Sequence, residues 1–333
     1  MADKWNIILV PSRKWWFPPY RSGNSLLRSI RFYLLQKFIK AKLEKNRPDF
    51  IISYFHGDYL NGFATYLKNK YHCKLGLFLH DDKHLLQKKF INKKHLAYDK
   101  LLFNASDVIW SVCDELKIPN TSSEKYYVLP PIPSSNIYKK ILWDESFKKP
   151  VVGFSGTLYP EYEAVFDKLA SALKKQNGIL IVIGDSYKNS WLDNLRKRTC
   201  NVEIVSLFPN NQDAVEFMKK KCSAIFAGYP DALNTMPWIK NSFPSKFVEY
   251  SNIKLPIILS SPTNTALHRW ATENKWGLFT ETYRPTDFDD LILNIIDKSS
   301  WIDSSEQVVR AADTVFNSDL IQRKFLQSIN NLS

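Results

Sequence analysis

The ten residues Asn241-Ser-Phe-Pro-Ser-Lys-Phe-Val-Glu-Tyr250 concentrate the side chains that handle anions and hydroxyls. Pro244 suits a first helical turn, where its missing N–H is no loss, with Ser242 or Ser245 placed to cap. Free backbone N–H groups at such a helix start, with Lys246 in the first turn, form an anion site. Glu249 falls one helical turn beyond Ser245 on the same face, and a carboxylate can accept two hydrogen bonds from paired sugar hydroxyls. The same spacing also fits a plain capped helix whose Lys246 and Glu249 are solvated.

Two histidines close apolar runs. His80 follows Leu75–Leu79 and precedes Asp81 and Asp82, while His56-Gly57-Asp58 follows Phe50–Phe55. A His–Asp pair can serve as general base toward an acceptor hydroxyl. Gly57 equally permits a turn before the next helix, and His80 equally fits a satisfied strand-end histidine. Ser22-Gly23-Asn24 falls in the first strand-to-helix connection. Cys73, Cys113, Cys200 and Cys222 show neither metal nor disulfide spacing, so inert thiols in a reducing compartment are expected, with no metal site.

Short β-branched runs that alternate with longer amphipathic segments must position these residues. Strands are expected at Asn6–Val10, Phe50–Phe55, Leu75–His80, Val108–Val112 and Tyr126–Leu129, then at Val151–Ser155, Ile179–Gly184, Val202–Ser206, Ala224–Ala227 and Pro256–Ser260. Helices are expected over Asn24–Glu44, with Leu27, Ile30, Leu34 and Phe38 as its core stripe, and over Glu161–Lys175, Asn211–Lys221, Ala266–Asn274 and Ser318–Asn330. Nearly continuous apolar strands alternating with helices indicate parallel sheets covered on both faces. The proline-rich stretch Pro130–Pro150 interrupts the series and excludes a single closed barrel. The expected architecture is α/β, with two facing Rossmann-like, doubly wound domains. The divisions are 1–135, a linker at 136–150, a second domain at 151–315, and a carboxyl-terminal helix in 316–333 that packs back on the first domain. In open α/β sheets ligands bind beyond the carboxyl ends of strands at a switch point, so the site is expected in the cleft between domains.

In this order the chain resembles the glycosyltransferase family 4 group, nucleotide-sugar enzymes of the two-Rossmann B-type fold. Ser242-Phe-Pro-Ser-Lys-Phe-Val-Glu-Tyr250 followed by Lys254-Leu-Pro-Ile-Ile258 resembles that group's carboxyl-terminal signature. Arg47-Pro-Asp-Phe-Ile-Ile52, Leu77-Phe-Leu-His-Asp-Asp82, Asn104-Ala-Ser-Asp-Val-Ile-Trp-Ser-Val112, Val151-Val-Gly-Phe-Ser-Gly-Thr157 and Leu180-Ile-Val-Ile-Gly-Asp185 fall in the expected sequence. The resemblance implies a nucleoside diphosphate-sugar donor, a hydroxyl acceptor, retention of configuration, and neither cofactor nor obligatory metal. It implies donor contacts at Gly156, Thr157, Asp185, Ser245, Lys246 and Glu249, with Glu249 on the ribose. His80, Lys246 and the Asn241 position would stand at the reacting sugar, and Ser22, Gly23, Asn24, His56 and Asp58 on the acceptor side. Two departures stand out. Asn241 occupies a position where members commonly carry Glu, and no basic pair follows Thr157, which leaves Lys246 as the main cation for the diphosphate.

The charge is divided unevenly. Residues 1–150 carry 26 Lys and Arg against 13 Asp and Glu, and residues 151–333 carry 20 of each. Arg13-Lys-Trp-Trp-Phe-Pro-Pro-Tyr-Arg21 interleaves aromatics with cations, and Lys83, Lys88, Lys89, Lys93, Lys94 and Lys100 follow His80. Such a surface suits a lipid-linked acceptor at an anionic membrane face or an acidic glycan acceptor, in polysaccharide or glycoconjugate synthesis. No signal peptide or membrane span is legible, so a cytoplasmic chain, peripheral at the inner face of the membrane, is expected. Two alternatives remain. Asn241 would suit a non-catalytic sugar- or partner-binding relative, and the basic aromatic surface would suit a nucleic-acid binder, although no nucleic-acid motif is present.

Overall fold

The computed structural model describes residues 25–55, 58–80, 93–116, 123–133, 138–185 and 190–332. Their strands form two all-parallel sheets. The first has the order β1 (Phe50–Tyr54), β2 (Lys74–Leu79), β3 (Val108–Ser111), β4 (Tyr126–Val128). The second has the order β10 (Phe279–Thr280), β9 (Ile257–Ser260), β8 (Ala224–Phe226), β5 (Val151–Ser155), β6 (Ile179–Ile183), β7 (Val202–Val205). The expected α/β architecture of two parallel sheets is therefore present. The strand expected at Asn6–Val10 lies outside the described residues. The short edge strand β10 was not expected.

Strand alternation splits the first sheet into two apolar faces. Leu75, Leu77 and Leu79 of β2 point to the face carrying Leu102 and Ile109. Phe78, Val108 and Trp110 point to the other face, which the helix Ser318–Asn330 covers with Ile321, Phe325 and Ile329. The Trp110 indole Nε1 donates to Ser328 Oγ at 2.8 Å in a buried contact. Gly76 provides the seat for that indole, since a Cβ at position 76 would stand 2.3 Å from Trp110 Cη2.

The helix Ser25–Lys45 corrects the expected stripe. Its buried residues are Leu35, Ile39 and Leu43, packed on Phe63 and Leu67 of the helix Asp58–Tyr71. Ile30 is exposed and Leu34 only half-buried, while the side chains of Leu27 and Phe38 lie outside the described set. The helix is apolar on two sides, and the partner helix selects the 35/39/43 side.

On the second sheet, the helix Glu163–Lys175 buries Val165, Phe166, Leu169, Ala170, Ala172 and Leu173, the spacing of one helix face. Phe166 is fully buried, which stabilises by about 1.5–3 kcal/mol. The segment after β4 packs on this half through Trp143 and Phe147, whose rings lie 5.8 and 5.3 Å from Trp301. The Trp301 indole in turn donates to Ser223 O at 2.9 Å.

Candidate functional site

The chain leaves β5 toward β6 and β7 on one side of the second sheet, then returns through β8 to build β9 and β10 on the other. The adjacent β5 and β8 are therefore the switch point, where the loops beyond their carboxyl ends diverge and open a crevice. A hollow of about 250 Å³ lies there, lined by Ser155, Gly156 and Thr157 beyond β5 and by Ala227, Gly228 and Tyr229 beyond β8. His80, directly after β2, joins its lining from the first sheet. A second hollow of about 670 Å³ continues past Gly184 and Asp185 after β6, and past Leu207 to Asn211 after β7. Ser155, Gly156, Thr157 and Lys246 line both, so the two form one groove.

The floor beneath β8 is tightly fixed. A Cβ on Gly228 would stand 2.3 Å from the backbone N of Ser260, so only glycine allows this approach. Tyr229 N–H donates to Ser260 O at 2.7 Å, and the Ser260 hydroxyl donates back to Tyr229 O at 2.8 Å. The Tyr283 hydroxyl also donates to Tyr229 O, at 2.8 Å, and the Tyr162 hydroxyl donates to Gly228 O at 3.1 Å. Burial pushes both phenols up, which keeps them protonated as donors. Tyr159 and Tyr229 flank Trp238 with ring centroids 5.7 and 5.9 Å away, giving the hollow an aromatic wall.

The helix Ser245–Ser251 is only seven residues long. Pro244 stands at its N-cap with φ −71° and ψ 109°, and no side chain caps it. Both the expected place of Pro244 inside the first turn and the Ser242 or Ser245 cap are thus corrected. Ser242 is buried instead. Ser245 is the first helical residue and lines the smaller hollow. Lys246 Nζ sits 3.1 Å from Glu249 Oε2, donates to Asn211 Oδ1, and lies 5.5 Å from the Tyr250 ring centroid. Glu249, with 19% of its side chain exposed against 35% for Lys246, lines neither hollow.

The structure thus brings His80, Gly156, Thr157, Ser245 and Lys246 to one hollow, and Asp185 to its continuation. Asn241 lines neither hollow, and its backbone carbonyl accepts from the Cys113 thiol at 3.2 Å. Asp58 begins the helix Asp58–Tyr71, with its side chain outside the described set. Ser22, Gly23, Asn24 and His56 lie outside the described residues, as do Lys83, Lys88 and Lys89. Among the described residues, no three His, Cys, Asp or Glu side chains converge to hold a metal. Asn211, Trp238 and the Gly228-Tyr229 loop are additions. Gly228-Tyr229 follows β8 as Gly156-Thr157 follows β5, a signal present in the sequence, but nothing in the spacing links Asn211 to Lys246.

The fold has known counterparts. The HepE protein of Anabaena, solved in complex with UDP and again with UDP-glucose, superposes with a TM-score of 0.65 for the UDP complex. That comparison covers 90% of this chain and 82% of HepE at 14% identity. A glycosyltransferase from Rickettsia africae gives 0.64 at 13% identity, over 95% of this chain and 84% of the other. This chain has the B-type glycosyltransferase fold. The chain is also similar in fold to a putative UDP-N-acetylglucosamine 2-epimerase from Listeria monocytogenes, with a TM-score of 0.55 and 12% identity over 94% of this chain and 81% of the other. No family model and no curated protein matches the sequence.

Proposed function

We propose that this chain transfers a sugar from a nucleoside diphosphate-sugar to a hydroxyl of a glycan or lipid-linked acceptor. The observation that carries this reading is the groove at the β5–β8 switch point, with Lys246 lining both of its hollows and His80 entering from the first sheet. In this reading residues 151–315 bind the donor, residues 1–135 bind the acceptor and 136–150 join them. Lys246 meets the diphosphate, whose negative charge grows as the bond from sugar C1 to phosphate oxygen breaks. Glu249 accepts hydrogen bonds from the ribose hydroxyls, and the Gly156–Thr157 backbone approaches the phosphates. His80 and the aromatic wall face the sugar. With retention, the acceptor oxygen bonds to C1 on the face the phosphate leaves, and its proton passes to the departing phosphate oxygen. No protein base or metal is required by that route. HepE is captured with UDP and with UDP-glucose, which makes uridine donors the first to try.

The acceptor reading rests on charge. Residues 1–150 hold the whole positive excess. On the helix Ser25–Lys45, the exposed Ile30 and Tyr33 share one stripe with Lys37 and Lys40, and Lys37 lies 4.8 Å over the Tyr33 ring. An apolar pair beside cations suits an anionic headgroup layer, consistent with a cytoplasmic chain peripheral to the membrane. Among the described residues, no helix is long and apolar enough to cross one.

The test is sugar transfer from a panel of nucleoside diphosphate-sugars to lipid-linked and glycan acceptors. Wild type should turn over one donor, and Lys246→Ala should lose roughly 10²-fold in turnover. Nucleotide binding without transfer to any acceptor would favour the non-catalytic relative that Asn241 brings to mind.

A further inference from the structure

Before any anion arrives, the Lys246 ammonium already has partners. It lies 3.1 Å from Glu249 Oε2 and also donates to Asn211 Oδ1. Lys246 lines the groove, while Glu249 is the less exposed of the two and lines neither hollow. The two belong to one short helix, three residues apart, so rotation of the lysine stem separates them without any backbone movement. A carboxylate oxygen engaged by an ammonium is a poorer acceptor for hydroxyls, and an ammonium facing a carboxylate is partly neutralised toward phosphate.

We propose that Lys246 and Glu249 are internal competitors that exchange partners when a nucleoside diphosphate binds. Lys246 turns to the diphosphate and Glu249 is released to the ribose. The exchange rests on the nucleotide reading given above and adds a consequence to it. Asn211 lines the larger hollow and gives the ammonium a second anchor on the groove side, so the lysine keeps one partner as it leaves the other. A ligand carrying only ribose must displace Lys246 without offering it a phosphate. A ligand carrying only phosphates leaves Glu249 without its counter-charge. The pair therefore penalises each half-ligand and favours the joined one, which is specificity by competition within the site.

The test titrates wild type, Lys246→Met and Glu249→Gln by ligand-observed NMR, which reads millimolar affinities. Two fragments serve as probes: inorganic pyrophosphate, and the nucleoside of whichever nucleoside diphosphate wild type binds tightest. Lys246→Met should bind the nucleoside roughly threefold or more tighter than wild type, the scale of a partly exposed ion pair, and pyrophosphate more weakly. Glu249→Gln should do the reverse. Nucleoside binding unchanged or weakened in Lys246→Met overturns the exchange. Pyrophosphate binding unchanged or weakened in Glu249→Gln overturns it as well, as does fragment binding by none of the three proteins. Any of these results, with wild type still binding a nucleoside diphosphate, leaves the nucleotide reading standing. A wild type that binds no nucleoside diphosphate ends both.

Discussion

Arg269 Nε lies 2.6 Å from Glu115 Oε1, joining the helix Ala266–Glu273 to the turn Asp114–Leu116 beyond β3. The contact spans the two sheets. Beside it the Cys113 thiol reaches the Asn241 carbonyl, so the segment leading into Lys246 is held against the first sheet. Burial alone pushes the Glu115 carboxyl up, but hydrogen bonds from Arg269, its own backbone and Cys113 outweigh it and hold the group below the usual range. Burial, reinforced by the nearby Glu115 charge, pushes the Cys113 thiol well up, so it stays protonated as a donor.

A carboxyl lowered in the folded state stabilises fully above its unfolded pKa, and that contribution fades as the pH falls through the lowered value. Arg269 is 41% exposed, so the pair is expected to contribute about 1 kcal/mol or less. Denaturant unfolding of wild type and Arg269→Met should differ by that amount at neutral pH and converge on acidification through the glutamate range. A difference that persists unchanged in acid would contradict the assignment.

Gly228→Ala should destabilise by about 1–3 kcal/mol, because its Cβ would enter the Ser260 backbone and no flexible side chain can yield. The unfolding midpoint reads this directly. An unaltered midpoint would mean that the β8 and β9 loops are looser than their hydrogen bonds imply.

Ser328→Ala strands the buried Trp110 indole N–H. A donor left unsatisfied in the interior costs about 1–3 kcal/mol. The variant should lose stability and release the helix Ser318–Asn330 to faster amide exchange, whereas exchange equal to wild type would show that Ile321 and Phe325 alone hold it.

Wild type should bind vesicles containing anionic lipid and not neutral ones, and Lys37→Glu with Lys40→Glu should weaken that binding by roughly thirtyfold or more, at about 1 kcal/mol per cation. Equal binding to neutral and anionic vesicles would remove the membrane reading.

Much of the fold was legible because parallel strands are buried on both faces and read as apolar runs. All nine expected strands within the described residues form, within about a residue at each end. Phe279–Thr280 was not legible, since two residues at a sheet edge carry no periodicity. The buried side of Ser25–Lys45 differs from the expected stripe because that helix offers apolar residues on two sides, and the choice between them is made by Phe63 and Leu67, far along the chain. In the site, residues directly after strands were readable from topology. The i, i+3 spacing of Lys246 and Glu249 permits their pairing as well as two separate ligand contacts, and only the structure shows that they meet. The Asn211 contact, 35 residues away in sequence, exists only once the sheet is assembled.

The central claim is that the β5–β8 groove holds a nucleoside diphosphate with Glu249 on its ribose. Calorimetric titration of wild type and Glu249→Ala against a panel of nucleoside diphosphates, without metal, tests it most directly. Hydrogen bonds to a charged carboxylate contribute about 1.5–3 kcal/mol each, more than the ion pair the substitution relieves, so the loss should dominate. The account predicts a clear preference for one nucleotide, weakened at least tenfold in Glu249→Ala. Binding to none of the panel, or the same affinity in both proteins, would contradict it.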